Sequence, residues 1–148
     1  MNGFLLDTNV ISMLSPSKAT VSSVFVRWLE EQERQSAVYL SAITVHEIEK
    51  GVRLLHLRGA TAKAAGIDIF LQGLITGYHD RILPINTDVA RQAGRLEAKA
   101  MAAGHHPGAS DAMIAATAYF HDLVLITVNL KHFKPFGIDV RSPDDAHS

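Results

Sequence analysis

The chain contains no cysteine. That excludes a disulfide framework, a thiolate zinc site and a cysteine nucleophile, and it leaves the redox compartment open. Charge of one sign is also missing: 14 Lys+Arg stand against 15 Asp+Glu, a formal net charge of -1. A basic coat for nucleic acid is therefore excluded, and any nucleic-acid contact must be local. No apolar run approaches the roughly 18 residues of a membrane span, and Asp7 interrupts the only N-terminal one, so neither a signal peptide nor a membrane segment is expected. The expectation is a soluble cytoplasmic protein. There is no internal repeat, low-complexity tract or linker, and no Gly-x-Ser-x-Gly elbow or P-loop. The 148 residues fit one domain, residues 1–148, with a frayed tail from about residue 142. A domain of this size buries roughly 70% of its unfolded surface and needs no staples.

What is present is an alternation of short β-forming runs with helical patterns. Phe4-Leu5-Leu6 reads as a buried strand entering a turn at Asp7-Thr8-Asn9, followed by one or two helical turns over residues 10–14 and a break at Ser15-Pro16-Ser17. Val21, Val24, Phe25, Trp28 and Leu29 recur at helical spacing. Further strands are expected at residues 38–40, 81–85, 123–126 and 138–140. Further helices are expected at residues 44–57, 61–77 and 87–103, the last ended by Gly104, and at residues 112–120, where an almost wholly apolar stretch implies burial. This order argues for an α/β fold with a parallel sheet covered on both faces.

In such a sheet ligands bind beyond the carboxyl ends of the strands. Four stretches deliver an oxygen side chain there: Asp7 after the first strand, Glu47 in the first turn of the helix after the second, Asp111 at the start of the buried helix, and Asn129, with Thr127, after the fourth strand. Clustered carboxylates repel one another and are tolerable with a cation among them, so a hard divalent metal and phosphate chemistry are the first reading. Each residue also has a plainer role. Asp7 fits a helix cap. Thr44-x-x-Glu47 fits a capping box. Asp111 suits the dipole of a first helical turn. Asn129 suits a turn, and Thr127 is a β-former. Of the eight histidines, the pair His105-His106 is read as surface and His46, His56, His121 and His132 as structural. Arg91, Arg95 and Lys99 form a solvated face, whereas Lys131 and Lys134 are nearer the candidate site and can reach RNA phosphates, as can Thr8.

Taken together and in order, four segments resemble the motifs of the PIN-domain ribonucleases, in particular VapC-type toxins of bacterial toxin–antitoxin systems. They are Leu5-Leu6-Asp7-Thr8-Asn9-Val10, Ser41 through Glu47 to Gly51, Asp111-Ala-Met-Ile-Ala-Ala-Thr-Ala118, and Thr127-Val-Asn129 through Phe133. Many members of that family have Asp where this chain has Asn129, which bears on a second metal site. The resemblance implies a three-layer α/β/α sandwich with a parallel sheet of about five short strands, and Mg²⁺- or Mn²⁺-dependent endoribonuclease activity. Asp7 and Asp111 would hold the ion and Glu47 would bind it directly or through water. It also implies a homodimer, an RNA substrate and a DNA-binding, VapB-type antitoxin that inhibits through the acidic pocket and alone carries the complex to promoter DNA. Two other readings compete. One is a PIN-like RNA- or protein-binding module with vestigial acids. The other is a haloacid-dehalogenase-type phosphatase, whose Asp-x-Asp motif is here Asp7-Thr8-Asn9.

Overall fold

The computed structural model describes residues 3–16 and 21–147. Its elements run β1 (Phe4–Leu6), α1 (Thr8–Met13), α2 (Ser23–Arg34), β2 (Val38–Ser41), α3 (Ala42–Leu57), α4 (Thr61–Tyr78), β3 (Ile82–Leu83), α5 (Thr87–Ala102), α6 (Ala109–Phe120), β4 (Val124–Ile126), α7 (Leu130–Phe133) and β5 (Val140–Arg141). The five strands form one sheet in the order β3-β2-β1-β4-β5, every pair parallel.

Strand periodicity makes two cores out of one sheet, because successive side chains point to opposite faces. Leu5 and Leu125, neighbours in register, enter one core with Val89, Leu96, Ile114 and Phe133. The next residues along, Leu6 and Ile126, enter the other with Ile11, Phe25, Leu40 and Leu71. Thus α5 and α6 pack against each other on one face, and α1 to α4 cover the other. This is the three-layer α/β/α sandwich. The order has a consequence for function. From β1 the chain moves outward to β2 and β3, then returns through α5 and α6 to place β4 on the other side of β1. The crevice beyond the carboxyl ends of β1 and β4 is the topological switch point, where open α/β sheets bind ligands.

Several boundaries differ from the sequence reading. The helix after β2 starts at Ala42, because the buried Ser41 side chain accepts from Ile43 N and caps it. Thr44 is therefore no cap, the Thr44–Glu47 capping box does not form, and Glu47 sits in the second turn. The strand expected over residues 81–85 shrinks to two residues: Arg81 belongs to the 3-10 turn His79–Arg81, and Pro84 has no N–H to continue the ladder. The last strand lies at Val140–Arg141 rather than over residues 138–140. The helix bearing Asp111 opens at Ala109, directly after Gly108 at φ +88°. The break at Ser15-Pro16-Ser17 is described as far as Pro16, Ser17 lying outside the described residues, as does Ser148. The tail read as frayed forms a 3-10 turn at Pro143–Asp145, capped by Ser142, and buries Ala146 in the second core. Among the described residues no helix is long and apolar enough to cross a membrane.

Candidate active site

Asp7 is the first residue beyond β1 and the N-cap of α1, so its cap role and its site position coincide. Its Oδ1 accepts from Thr8 N at 2.8 Å and its Oδ2 accepts from Thr127 Oγ1 at 2.8 Å. The residue is only 4% exposed. Burial pushes its carboxyl up to about 6, against the lowering effect of the Thr127 and Thr8 hydrogen bonds, and repulsion from Asp111 and Glu47 adds to the rise. Every hydrogen bond described for it comes from a neutral donor.

Thr127, fully buried just past β4, does more than fill a β position. Besides donating to Asp7, its hydroxyl oxygen accepts from Asn129 N at 3.0 Å and from Asn9 Nδ2 at 3.4 Å. Asn9 in turn accepts from Val128 N at 3.4 Å. The strand pair β1–β4 is thereby laced together past its last ladder bond. Asn129 takes part through its backbone; its side chain is exposed and makes no capping bond to α7.

Glu47 is half-buried on α3, and its Oε1 accepts from Thr8 Oγ1 at 2.6 Å. Thr8 Oγ1 also lies 2.9 Å from Thr44 Oγ1. A threonine hydroxyl has one hydrogen. Thr8 gives it to the acceptor-only carboxylate, so Thr44 donates to Thr8. The Thr8 side chain thus holds Glu47.

Asp111 is the third residue of α6, carried to the same edge because that helix leads into β4. Its Oδ2 meets His132 Nε2 at 2.5 Å. Burial raises its carboxyl above the ordinary carboxylate value, the His132 charge and hydrogen bond oppose this, and Glu47 adds repulsion. His132, read from sequence as structural, is thus part of the acidic cluster. No spacing signal could have shown this, since the contact joins α6 to α7. His105 and His106 are exposed, as are Arg91, Arg95 and Lys99. Lys131 and Lys134 are exposed and line, with Asn129 and His132, a groove of about 600 Å³ beside the cluster.

The three acids therefore share one electrostatic neighbourhood, but each is tethered by its own partner. Among the described residues no three acidic or histidine side chains stand close enough to hold one ion between them. Mg²⁺ is commonly held by one or two carboxylates and keeps several waters. An all-oxygen donor set in which a buried carboxylate is destabilised by two others fits that requirement, without forming a closed cage.

A parallel α/β sheet with three carboxylates gathered beyond its switch point is the class of domain and site that the structure defines. The family model described as PIN domain matches residues 4–135, and the chain belongs to the PIN-domain family. It is 33% identical over 140 residues to VapC ribonuclease Y4jK of Sinorhizobium fredii, covering 94% of this chain and 96% of that one. It is 35% identical over 139 residues to Toxin FitB of Neisseria gonorrhoeae, again covering 94% and 96%. Among solved structures, DNA-bound VapBC from Salmonella typhimurium superposes with a TM-score of 0.75 at 25% identity, covering 97% of this chain and 99% of that one.

Proposed function

We propose that this chain is a Mg²⁺- or Mn²⁺-dependent endoribonuclease and the toxin of a toxin–antitoxin pair. The observation that carries the reading is Asp7: a buried carboxyl at the switch point, pushed up to about 6, facing two further carboxylates. Such a site is arranged for a cation. Asp7 and Asp111 are the residues to hold it, with Glu47 acting directly or through water. When bound, the ion lowers the pKa of a water and neutralises charge at the phosphate. The chain's own groups supply the rest. Thr127 fixes Asp7, the Thr44–Thr8 pair fixes Glu47, and Asn129 lies at the rim. Lys131 and Lys134 draw RNA phosphates to the groove next to the acids.

The names of the similar proteins support the rest of the reading: a VapC ribonuclease, a toxin and a VapBC assembly on DNA. A groove of about 300 Å³ runs from Thr8 and Glu47 past the apolar Ile48, Leu55 and Phe70 to Lys63. It suits an amphipathic antitoxin segment that reaches the acids from one side. Promoter DNA would then be bound by the antitoxin rather than by this near-neutral chain, which would act in the cytoplasm as a homodimer. Asn129, an uncharged and exposed residue at the fourth position, favours one tight ion. It is also the feature that keeps a binding-only module in contention.

The test is direct. Freed from any partner, the wild-type chain cleaves RNA when Mg²⁺ or Mn²⁺ is added and arrests growth when expressed alone. Asp7→Asn and Asp111→Asn abolish both while remaining folded by circular dichroism. RNA binding without cleavage by the wild type would favour the module, and toxicity kept by both variants would exclude a metal nuclease.

A further inference from the structure

The contact between α7 and Asp111 is not used by the proposed reaction, yet it is made at the acid cluster itself. His132 Nε2 lies 2.5 Å from Asp111 Oδ2 and 3.3 Å from the Pro107 carbonyl oxygen. Both atoms are acceptors: an ionised carboxylate and a carbonyl offer no hydrogen. Nε2 must therefore carry one, whichever state Nδ1 is in. One ring nitrogen thus holds the acid on α6 and the loop that launches α6. The ring is oriented by an edge-on contact with Phe133, centroids 6.1 Å apart, and Phe133 is itself 1% exposed in the core. The other described acids of the cluster are tethered by hydroxyls and a backbone amide. Asp111 alone among them has a ring donor that can bear charge.

We propose that His132 is a positioning residue. By donating from Nε2 it fixes the Asp111 carboxylate through Oδ2, leaves Oδ1 for a cation or its water, and ties this orientation to the Pro107 loop. The proposal rests on the metal reading above. Outer partners of this kind orient ligating carboxylates, and losing one typically costs 10–100-fold in metal affinity or activity. Nothing in it requires His132 to titrate or to touch RNA.

The experiment measures Mn²⁺ binding to the partner-free chain by calorimetry, together with kcat and KM for RNA cleavage. His132→Phe keeps an aromatic ring at the edge-on contact and removes the donor; His132→Gln restores an N–H of similar reach. The Phe variant should bind Mn²⁺ about 10–100-fold more weakly and lose far more in kcat than in KM for RNA, and the Gln variant should recover most of the Mn²⁺ affinity and kcat. Mn²⁺ binding indifferent to His132→Phe overturns the proposal alone. A wild-type chain that takes up no Mn²⁺ overturns the metal reading, and the proposal with it. Should the Phe variant fail to fold, the wild-type ring nitrogens decide by ¹⁵N NMR at alkaline pH. A slowly exchanging Nε2–H that is released by Asp111→Ala supports the proposal, and a bare Nε2 overturns it.

Discussion

At the scale of single residues, Asp7 is held against its own preference. Its carboxyl, ordinarily near 3.8, is pushed up to about 6, with burial as the first cause. The sign follows from proton counting. Between those two values the folded chain binds the proton and the unfolded chain does not, so folding stability falls as pH rises through that window. Above it the ionised, buried group is a net burden of about 2–3 kcal/mol, since each unit corresponds to 1.36 kcal/mol. Asp7→Asn should therefore stabilise the metal-free protein at neutral pH, raising Tm by roughly 5–10 °C, while abolishing cleavage. Mg²⁺ should raise Tm of the wild type and leave that of the variant unchanged. Differential scanning calorimetry with and without Mg²⁺ reads both effects, and a variant less stable than wild type at neutral pH would refute the burden. Asp7 and Thr127 were legible in the sequence because each follows an apolar run, and strand ends are where sites form. The tethers were not. The Thr8–Glu47, Asn9–Thr127 and His132–Asp111 bonds span sequence gaps that no local pattern encodes.

At the scale of elements, the start of α6 is the tightest constraint on the site. Gly108 has φ +88° and ψ 159° and stands where a side-chain cap would otherwise be, a conformation that L residues adopt only under strain. Nothing crowds its missing Cβ, so the cost of a side chain there is conformational. Gly108→Ala should cost about 1–3 kcal/mol in urea unfolding. Because Asp111 is only three residues on, the same change should depress kcat more than KM. Gly104 also has a positive φ, +89°, and follows α5 four residues before Gly108. Gly104→Ala is the comparison, expected to lose comparable stability with a smaller loss of kcat, since it lies seven residues from Asp111 rather than three. Helix existence was legible from periodicity, whereas this entry point was not: the apolar run begins at Ala112, and the polar first turn Ala109-Ser110-Asp111 reads equally well as loop. Ser41 and Thr44 show the same ambiguity. Both are good caps, and only the end of β2 decides that Ser41 serves.

At the scale of the whole molecule, a net charge of -1 means that, on the proposed reading, RNA would be drawn by a few local cations rather than by a global field. Lys131 and Lys134 beside the acids are the described candidates. The double variant Lys131→Ala, Lys134→Ala should raise KM and flatten the plot of log affinity against log salt by roughly 1.4, two phosphate contacts at about 0.7 each for single-stranded RNA. Filter binding over a salt series reads the slope, and an unchanged slope would move the RNA path elsewhere. Strand order needed more than pattern. Five short runs separated by helices imply a parallel sheet, but only pairing in three dimensions places β4 beside β1 rather than beside β3.

That placement sets what the proposed centre needs before it is complete. The hydroxyl that steadies Asp7 comes from Thr127, 120 positions later, and the helix that carries Asp111 leads directly into β4, beside β1. A polypeptide interrupted between Asp111 and Thr127 carries all three acids but lacks the hydroxyl that steadies the first. On the proposed reading such a fragment would be inert, because the acid at the switch point would have lost its side-chain tether.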